Sequence, residues 1–172
     1  MVSYLTPRLF THLGIKRPTW ETDPLGNSFG AGGLFLTLSE LHQFGLFYLN
    51  KGRWNGKQIL SEQWIEESTS ASDTDDYGYL FWRGEYNSYR ADGKYSQITM
   101  ILPDKNTVIS LVAECRKGEE LMRALYDCVC AAARCGRMPI GQADSTITAT
   151  SKPSTFPSKT SLLSRLSFCA YS

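Results

Sequence analysis

The stretch that most constrains this chain is Gln97-Ile98-Thr99-Met100-Ile101-Leu102, closed at once by Pro103-Asp104. Alternation of side chains with a period of two predicts a half-buried β-strand over these six positions. Pro103 ends it because proline has no N–H to continue a ladder. The approach, Tyr89-Arg90-Ala91-Asp92-Gly93-Lys94-Tyr95-Ser96, is polar and carries Gly93, where backbone can come close to a ligand with no Cβ in the way. Beyond the Pro103–Asn106 turn, residues 106–113 read as a second strand, and Tyr77–Trp82 as a third. Three successive strands with short links form an antiparallel meander. The fold class expected is therefore α+β: an antiparallel sheet meander covered by helices.

Several helices are available to cover that sheet. Tyr4, Leu5, Leu9, Phe10 and Leu13 fall at helical spacing ahead of Gly14, a residue suited to closing a helix. No N-cap precedes that helix at Met1, so the expectation is that it begins upstream. Thr37-Leu38-Ser39-Glu40 is a capping box before an apolar stripe ending near Asn50. Asn55-Gly56 is a strong hairpin signal, Ser61 caps a short helix, and Gly118-Glu119-Glu120 opens a longer one carrying Leu121 and Leu125. The irregular stretch 15–33 is glycine- and proline-rich, with Trp20 and Phe29 available to pin it. From Asp144 onward, 13 of 29 residues are Ser or Thr, too polar to bury enough surface to order themselves. The expected organisation is one domain over residues 1–136 and a Ser/Thr-rich, disordered tail over residues 137–172.

Charge and composition exclude some functions. With 18 basic against 17 acidic residues there is no electrostatic case for nucleic acid or an anionic membrane surface. No apolar run is long enough to span a bilayer, and Met1–Thr6 does not read as a secretion signal. The five cysteines, bunched late, lack paired zinc-knuckle spacing, so small buried residues and reduced thiols are expected, with no metal and no cofactor. Nucleotide-binding glycine motifs are absent. His12 and His42 sit at surface-like or stripe-edge helix positions and read as structural. Asp73, Asp75 and Asp76 read as a solvated linker.

The order of the parts is more specific than any one of them. Tyr4 to Ile15, Trp20 to Gly26, Gly32 to Leu41, Leu49 to Trp64, Tyr77-Gly78-Tyr79 with Trp82, and Ala91-Asp92-Gly93-Lys94-Tyr95-Ser96-Gln97 together resemble the downstream half of the serine β-lactamase-like hydrolases. That superfamily includes class C β-lactamases, DD-peptidases, and related esterases and amidases. The resemblance runs over roughly residues 1–130. It implies an acyl-enzyme mechanism in which the serine of a Ser-x-x-Lys motif attacks a carbonyl. The lysine and a Tyr-x-Asn tyrosine handle the proton, and a strand bearing Lys-Thr-Gly or His-x-Gly walls the site.

Carried over residue by residue, Ala91-Asp92-Gly93 stands at the strand motif. Gly93 matches its glycine, and the backbone N–H of Lys94 falls where an oxyanion donor is expected. Ala91, Asp92 and Tyr95 would line the substrate. Ala91 replaces the cation of the usual motif, removing the charge that would recognise a carboxylate, and Ser96 stands where many relatives have glycine. No serine is followed three residues later by lysine. Tyr48-Leu49-Asn50 matches Tyr-x-Asn only as text, because it ends the capped helix. The resemblance thus implies a C-terminal part of such a hydrolase, inactive by itself, whose substrate in the intact family is a small ester, amide or peptide. It implies pairing with an N-terminal half and, without that half, an unpaired sheet edge, an uncovered face and marginal stability. The default compartment is the cytoplasm, although relatives are commonly exported. The alternatives are a non-catalytic peptide- or glycan-binding module using Trp20, Trp54 and Trp82, or a fragment with no function of its own.

Overall fold

The computed structural model describes residues 1–30, 32–72, 76–134 and 167–171. Helix α1 (Val2–Leu5), a π-helical turn (Thr6–Phe10) and helix α2 (Thr11–Leu13) run on from one another. Pro7 has no N–H to donate, which accounts for the widened bonding at this point. Gly14 then takes φ 76°, and the N–H groups of Gly14 and Ile15 donate back to the carbonyls of Thr11 and Phe10 at 3.3 and 2.9 Å. This double return is a Schellman closure, with Ile15 and Phe10 both buried beside it.

A short ladder, β1 (Thr19–Trp20) with β2 (Leu34–Phe35), braces the glycine-rich loop. Trp20 pins it as expected, donating from Nε1 to the carbonyls of Phe29 and Gly32. The Phe29 ring, by contrast, is half-exposed. Helix α3 (Leu38–Leu49) starts at the capping box: Glu40 N–H donates to Thr37 Oγ1, and Thr37 N–H to Glu40 Oε2 at 2.8 Å. Asn55 and Gly56, both at positive φ, turn β3 (Arg53–Trp54) into β4 (Lys57–Gln58). Ser61 accepts from Trp64 N–H at the start of α4 (Glu62–Thr69).

The main sheet is antiparallel, in the order β5 (Trp82–Arg83), β6 (Tyr89–Gly93), β7 (Gln97–Leu102), β8 (Thr107–Val112) and β9 (Ser167–Tyr171). The third strand expected at Tyr77–Trp82 is instead a tight turn, with only Trp82 continuing into β5. Its backbone groups are used locally: Gly78 N–H donates to Phe81 and Tyr79 N–H to Ser68, at 2.8 Å each.

β7 is buried on both faces, not half-buried as its alternation suggested. Ile98, Met100 and Leu102 join Leu111 against Leu121 and Leu125 of α5 (Gly118–Arg134). The other face sends Ile101, Val108 and Tyr89 against Phe47 and Tyr48 of α3. Both faces of the sheet therefore carry a helix, which corrects the expected bare face. The outer edge of β8 is likewise occupied, because Ser167–Tyr171 pair with it in register from Val112 to Val108. Five residues assigned to a disordered tail thus lie in a strand. Residues 135–166 and 172, and with them the rest of that tail and Cys135, lie outside the described residues, as do Asp73 and Asp75.

His42 is buried, not at a stripe edge as its helical position suggested. Its Nδ1 lies 3.1 Å from Ser110 Oγ, which lies 2.8 Å from Thr99 Oγ1, so three polar groups satisfy one another between α3 and the sheet. Burial lowers its pKa from the ordinary 6.5, because a charged imidazolium is disfavoured away from water. The unfolded chain therefore binds more protons than the folded one between that lowered value and 6.5. Stability should fall as pH drops from above 6.5 through the folded-state pKa, by up to about 1.4 kcal/mol per pH unit inside that window. Urea midpoints at pH 7.5 and 5.5 check this: wild type should lose more than His42→Gln, which cannot titrate.

Candidate functional site

The candidate site residues occupy the end of β6 and the turn into β7. β5 pairs with β6 only at Tyr89 and Arg90, so Ala91, Asp92 and Gly93 have β7 on one side and, among the described residues, no strand on the other. Such an edge offers outward-facing N–H and C=O groups for pairing with an extended chain. Gly93 is opposite Gln97, where a Cβ would come within 3.2 Å of the Gln97 carbonyl oxygen, a squeeze that glycine avoids.

The turn is Lys94-Tyr95-Ser96. Tyr95 and Ser96 adopt φ 63° and 71°, the left-handed region that favours glycine. That conformation rationalises a glycine at the position of Ser96. Here the hydroxyl compensates by donating to the Cys115 carbonyl at 3.1 Å, and Cys115 N–H donates to Tyr95 O at 3.0 Å. The Tyr95 ring has the Lys94 Nζ 4.9 Å from its centroid and the Arg116 guanidinium 5.5 Å away, so two cations flank it.

Alternation along β6 separates residues that the sequence reading grouped together. Ala91 packs against the α3-side core with Tyr89. Asp92 turns to the other face, where its Oδ2 accepts from Arg90 Nε at 3.1 Å in an ion pair with side chains only 18% and 27% exposed. Gly93, Lys94 and Tyr95 follow at the strand end. Ala91 and Asp92 therefore cannot contact one substrate from the same side of the sheet.

Behind β6 lies a cavity of about 510 Å³ between the sheet, the β5–β6 loop and α5. Arg90, Asp92 and Ile98 line it from the sheet, and Glu85 and Tyr86 from the loop. Glu119, Met122, Arg123 and Tyr126 line it from α5 at i, i+3, i+4 and i+7, together with Asp127. The Tyr126 hydroxyl lies 3.1 Å from Ser88 Oγ, and Gly84 has no Cβ to obstruct it. From the sequence Glu119 read only as part of a helix start, and none of the α5 residues as lining a site. Their helical spacing, beside Arg90 and Asp92 at a period of two, is the signal that could have found them.

Tyr48 is 7% exposed among Phe44, Phe81 and Tyr89, and burial raises its pKa. It is a core residue, in keeping with its rejection as a Tyr-x-Asn tyrosine. Trp54 packs against the core and Trp20 is committed to its loop, which leaves Trp82 as the half-exposed member of the three tryptophans. Among the described residues, no group of three or more His, Cys, Asp or Glu could hold a metal ion, and no helix is long and apolar enough to cross a membrane.

No family model matches the chain, and no curated protein matches it. Solved structures do. One, described as "Putative 6-aminohexanoate-dimer hydrolase from Bacillus anthracis", superposes with a TM-score of 0.66 at 21% identity, over 79% of this chain and 39% of that protein. The chain thus spans about two fifths of the length of the protein it matches. At that identity the likeness establishes the fold. An antiparallel sheet carrying α3 on one face and α5 on the other makes this chain an α+β protein that bears part of a β-lactamase-like hydrolase fold.

Proposed function

We propose that this chain forms one wall of the acyl-transfer pocket of a β-lactamase-like serine hydrolase acting on small esters, amides or peptides. The observation that carries the reading is the outer edge of β6 at Ala91–Gly93, which no strand among the described residues pairs, running directly into the Lys94–Ser96 turn. A carbonyl substrate lying along that edge would meet Gly93 with no side chain in its way. The backbone N–H of Lys94 would then stabilise the oxyanion that forms when a hydroxyl adds to the carbonyl carbon. Ala91 and Tyr95 form the rim on that side, with Tyr95 and its two flanking cations nearest the turn, while Asp92 faces away from it. The fold likeness to a protein described as a hydrolase supports this reaction class.

The attacking serine and its lysine base are not among these residues, since no serine precedes a lysine at the required spacing. Without a nucleophile no acyl-enzyme forms, and binding is what remains. The chain alone should hydrolyse a chromogenic cephalosporin or p-nitrophenyl acetate no faster than buffer. A fluorophosphonate probe should leave every serine unlabelled. Titration with an N-acetyl amino acid ester should move the amide resonances of Ala91–Tyr95 most. Turnover above buffer, a labelled serine, or shifts centred elsewhere would overturn the proposal.

A further inference from the structure

The cavity behind β6 lies outside the acyl-transfer reading, because it opens on the face of the strand opposite Ala91. Taken with the groups beside it, its charge is balanced. Asp92 is matched by Arg90 at 3.1 Å, and Asp127 is engaged within the chain. Glu85 and Glu119 then stand beside the Arg123 guanidinium and the Lys105 ammonium, which lies 5.5 Å from the Tyr86 ring centroid. Such a site has no net field with which to select an ion.

What the cavity does hold is unused hydrogen-bonding capacity, arranged as donors next to acceptors. Arg90 commits only Nε to Asp92, and Asp92 accepts on Oδ2 alone. Among the described residues, both Nη groups and Oδ1 are without a protein partner, although the two side chains are only 18% and 27% exposed. A guanidinium so shielded and so little used is costly unless something else accepts from it. On the α5 wall, Glu119 and Arg123 stand one helical turn apart, and among the described residues neither is in an ion pair. The rest of the lining is aromatic and apolar. Tyr86 and Tyr126 have ring centroids 6.1 Å apart with planes inclined at 54°, and Ile98 and Met122 lie with them.

We propose that this cavity binds a pyranose ring of a neutral sugar, either free or as a residue of a glycan. Neighbouring ring hydroxyls offer an acceptor beside a donor. One such pair would accept from an Arg90 Nη and donate to Asp92 Oδ1, and a second would do the same with Arg123 and Glu119. The apolar C–H face of the ring would lie against the tyrosines. A volume of about 510 Å³ leaves room for the ring and its hydroxyls. A plain hydrocarbon of the same shape would leave both donor–acceptor couples unpaired.

The test compares rings of one size that differ in hydroxyl groups. The full chain would be titrated with methyl β-D-glucopyranoside, methyl β-D-galactopyranoside and cyclohexylmethanol, following the amide resonances of Ile98, Met122 and Tyr126. One glycoside at least should saturate, with a Kd on the order of 10 mM, and bind roughly tenfold tighter than cyclohexylmethanol. Raising the salt should leave its affinity unchanged, since no ion is exchanged. The Glu119→Met/Arg123→Met double variant replaces exposed side chains by another good helix former. It should weaken the glycoside about tenfold with no loss for cyclohexylmethanol. The β-1,4-linked tetrasaccharide of the preferred sugar separates the two sources. Tighter binding than the methyl glycoside assigns the site to glycan chains, and binding no tighter assigns it to free sugars. Neither glycoside moving these resonances, cyclohexylmethanol binding as tightly, or an unaffected double variant would overturn the proposal. None of these outcomes depends on whether the chain takes part in acyl transfer.

Discussion

Phe47→Ala should destabilise the fold by about 3–5 kcal/mol, the largest loss expected from any single truncation here. Phe47 is fully buried and lies edge-on to Tyr48, with ring centroids 5.9 Å apart. It anchors the core in which Phe10, Leu13, Ile65, Ile101 and Val108 meet, so one side chain ties the N-terminal helices and α4 to the sheet through α3. Removing the ring forfeits its transfer free energy and leaves a void that elements held from several directions cannot close. Urea unfolding followed by circular dichroism would show it as a lower midpoint at unchanged slope. A loss below about 1 kcal/mol would mean that the core collapses freely around the gap, contrary to the packing described.

Gly45→Val should cost about 3 kcal/mol, for the opposite reason. A Cβ at this position would lie 2.6 Å from Thr99 Oγ1 and 2.6 Å from Val108 Cγ1, so α3 crosses β7 and β8 at a point with no room for a side chain. The backbone there is ordinary helix, and the constraint is therefore close approach. Replacing glycine within a helix normally gains a few tenths to one kcal/mol of propensity, which is too little to offset a collision on two sides. The helix must lift from the sheet, and the His42–Ser110–Thr99 chain beside it should open. A second readout follows. If α3 lifts, His42 gains water and its pKa should return toward the ordinary 6.5, which a histidine NMR titration would detect. Unchanged stability together with an unchanged His42 titration would refute the close approach.

Local signals were the most legible part of this molecule. The Thr37/Glu40 capping box, the Asn55-Gly56 hairpin, the Ser61 cap and the closure at Gly14 each depend on residues within a few positions of one another. Pairing of β7 with β8 was legible too, because their connection is short, whereas Tyr89–Gly93 read only as a polar approach and the strand beside β7 was expected at Tyr77–Trp82. Less legible was how many faces each element buries. Ile98-Thr99-Met100-Ile101-Leu102 looks half-polar only because Thr99 interrupts it, and Ser110 and His42 supply the partners that let Thr99 be buried. His42 was misplaced for the same reason, since its partner lies 68 residues away. At Tyr77–Trp82 the aromatic content suggested a strand, but the Ser68 carbonyl near the end of α4 and the Phe81 and Gly78 carbonyls of the turn itself claimed the backbone instead.

The candidate site divides along the same line. Gly93, Lys94 and Tyr95 are contiguous, so an order of motifs was enough to put them at a strand end. Whether Ala91 and Asp92 act together was decided by the pleat, which sends them to opposite faces of β6. The cavity behind that strand exists only because α5 crosses the sheet there, and pairing of β9 with β8 joins residues far apart in the chain. By itself the sequence determined the β7–β8 hairpin, the helix ends and the Asn55-Gly56 turn, because those rest on bonds between near neighbours. Tertiary structure alone decided what is buried on two faces, which edge stays open and where a ligand could enter, because those depend on which distant surfaces exclude water from one another.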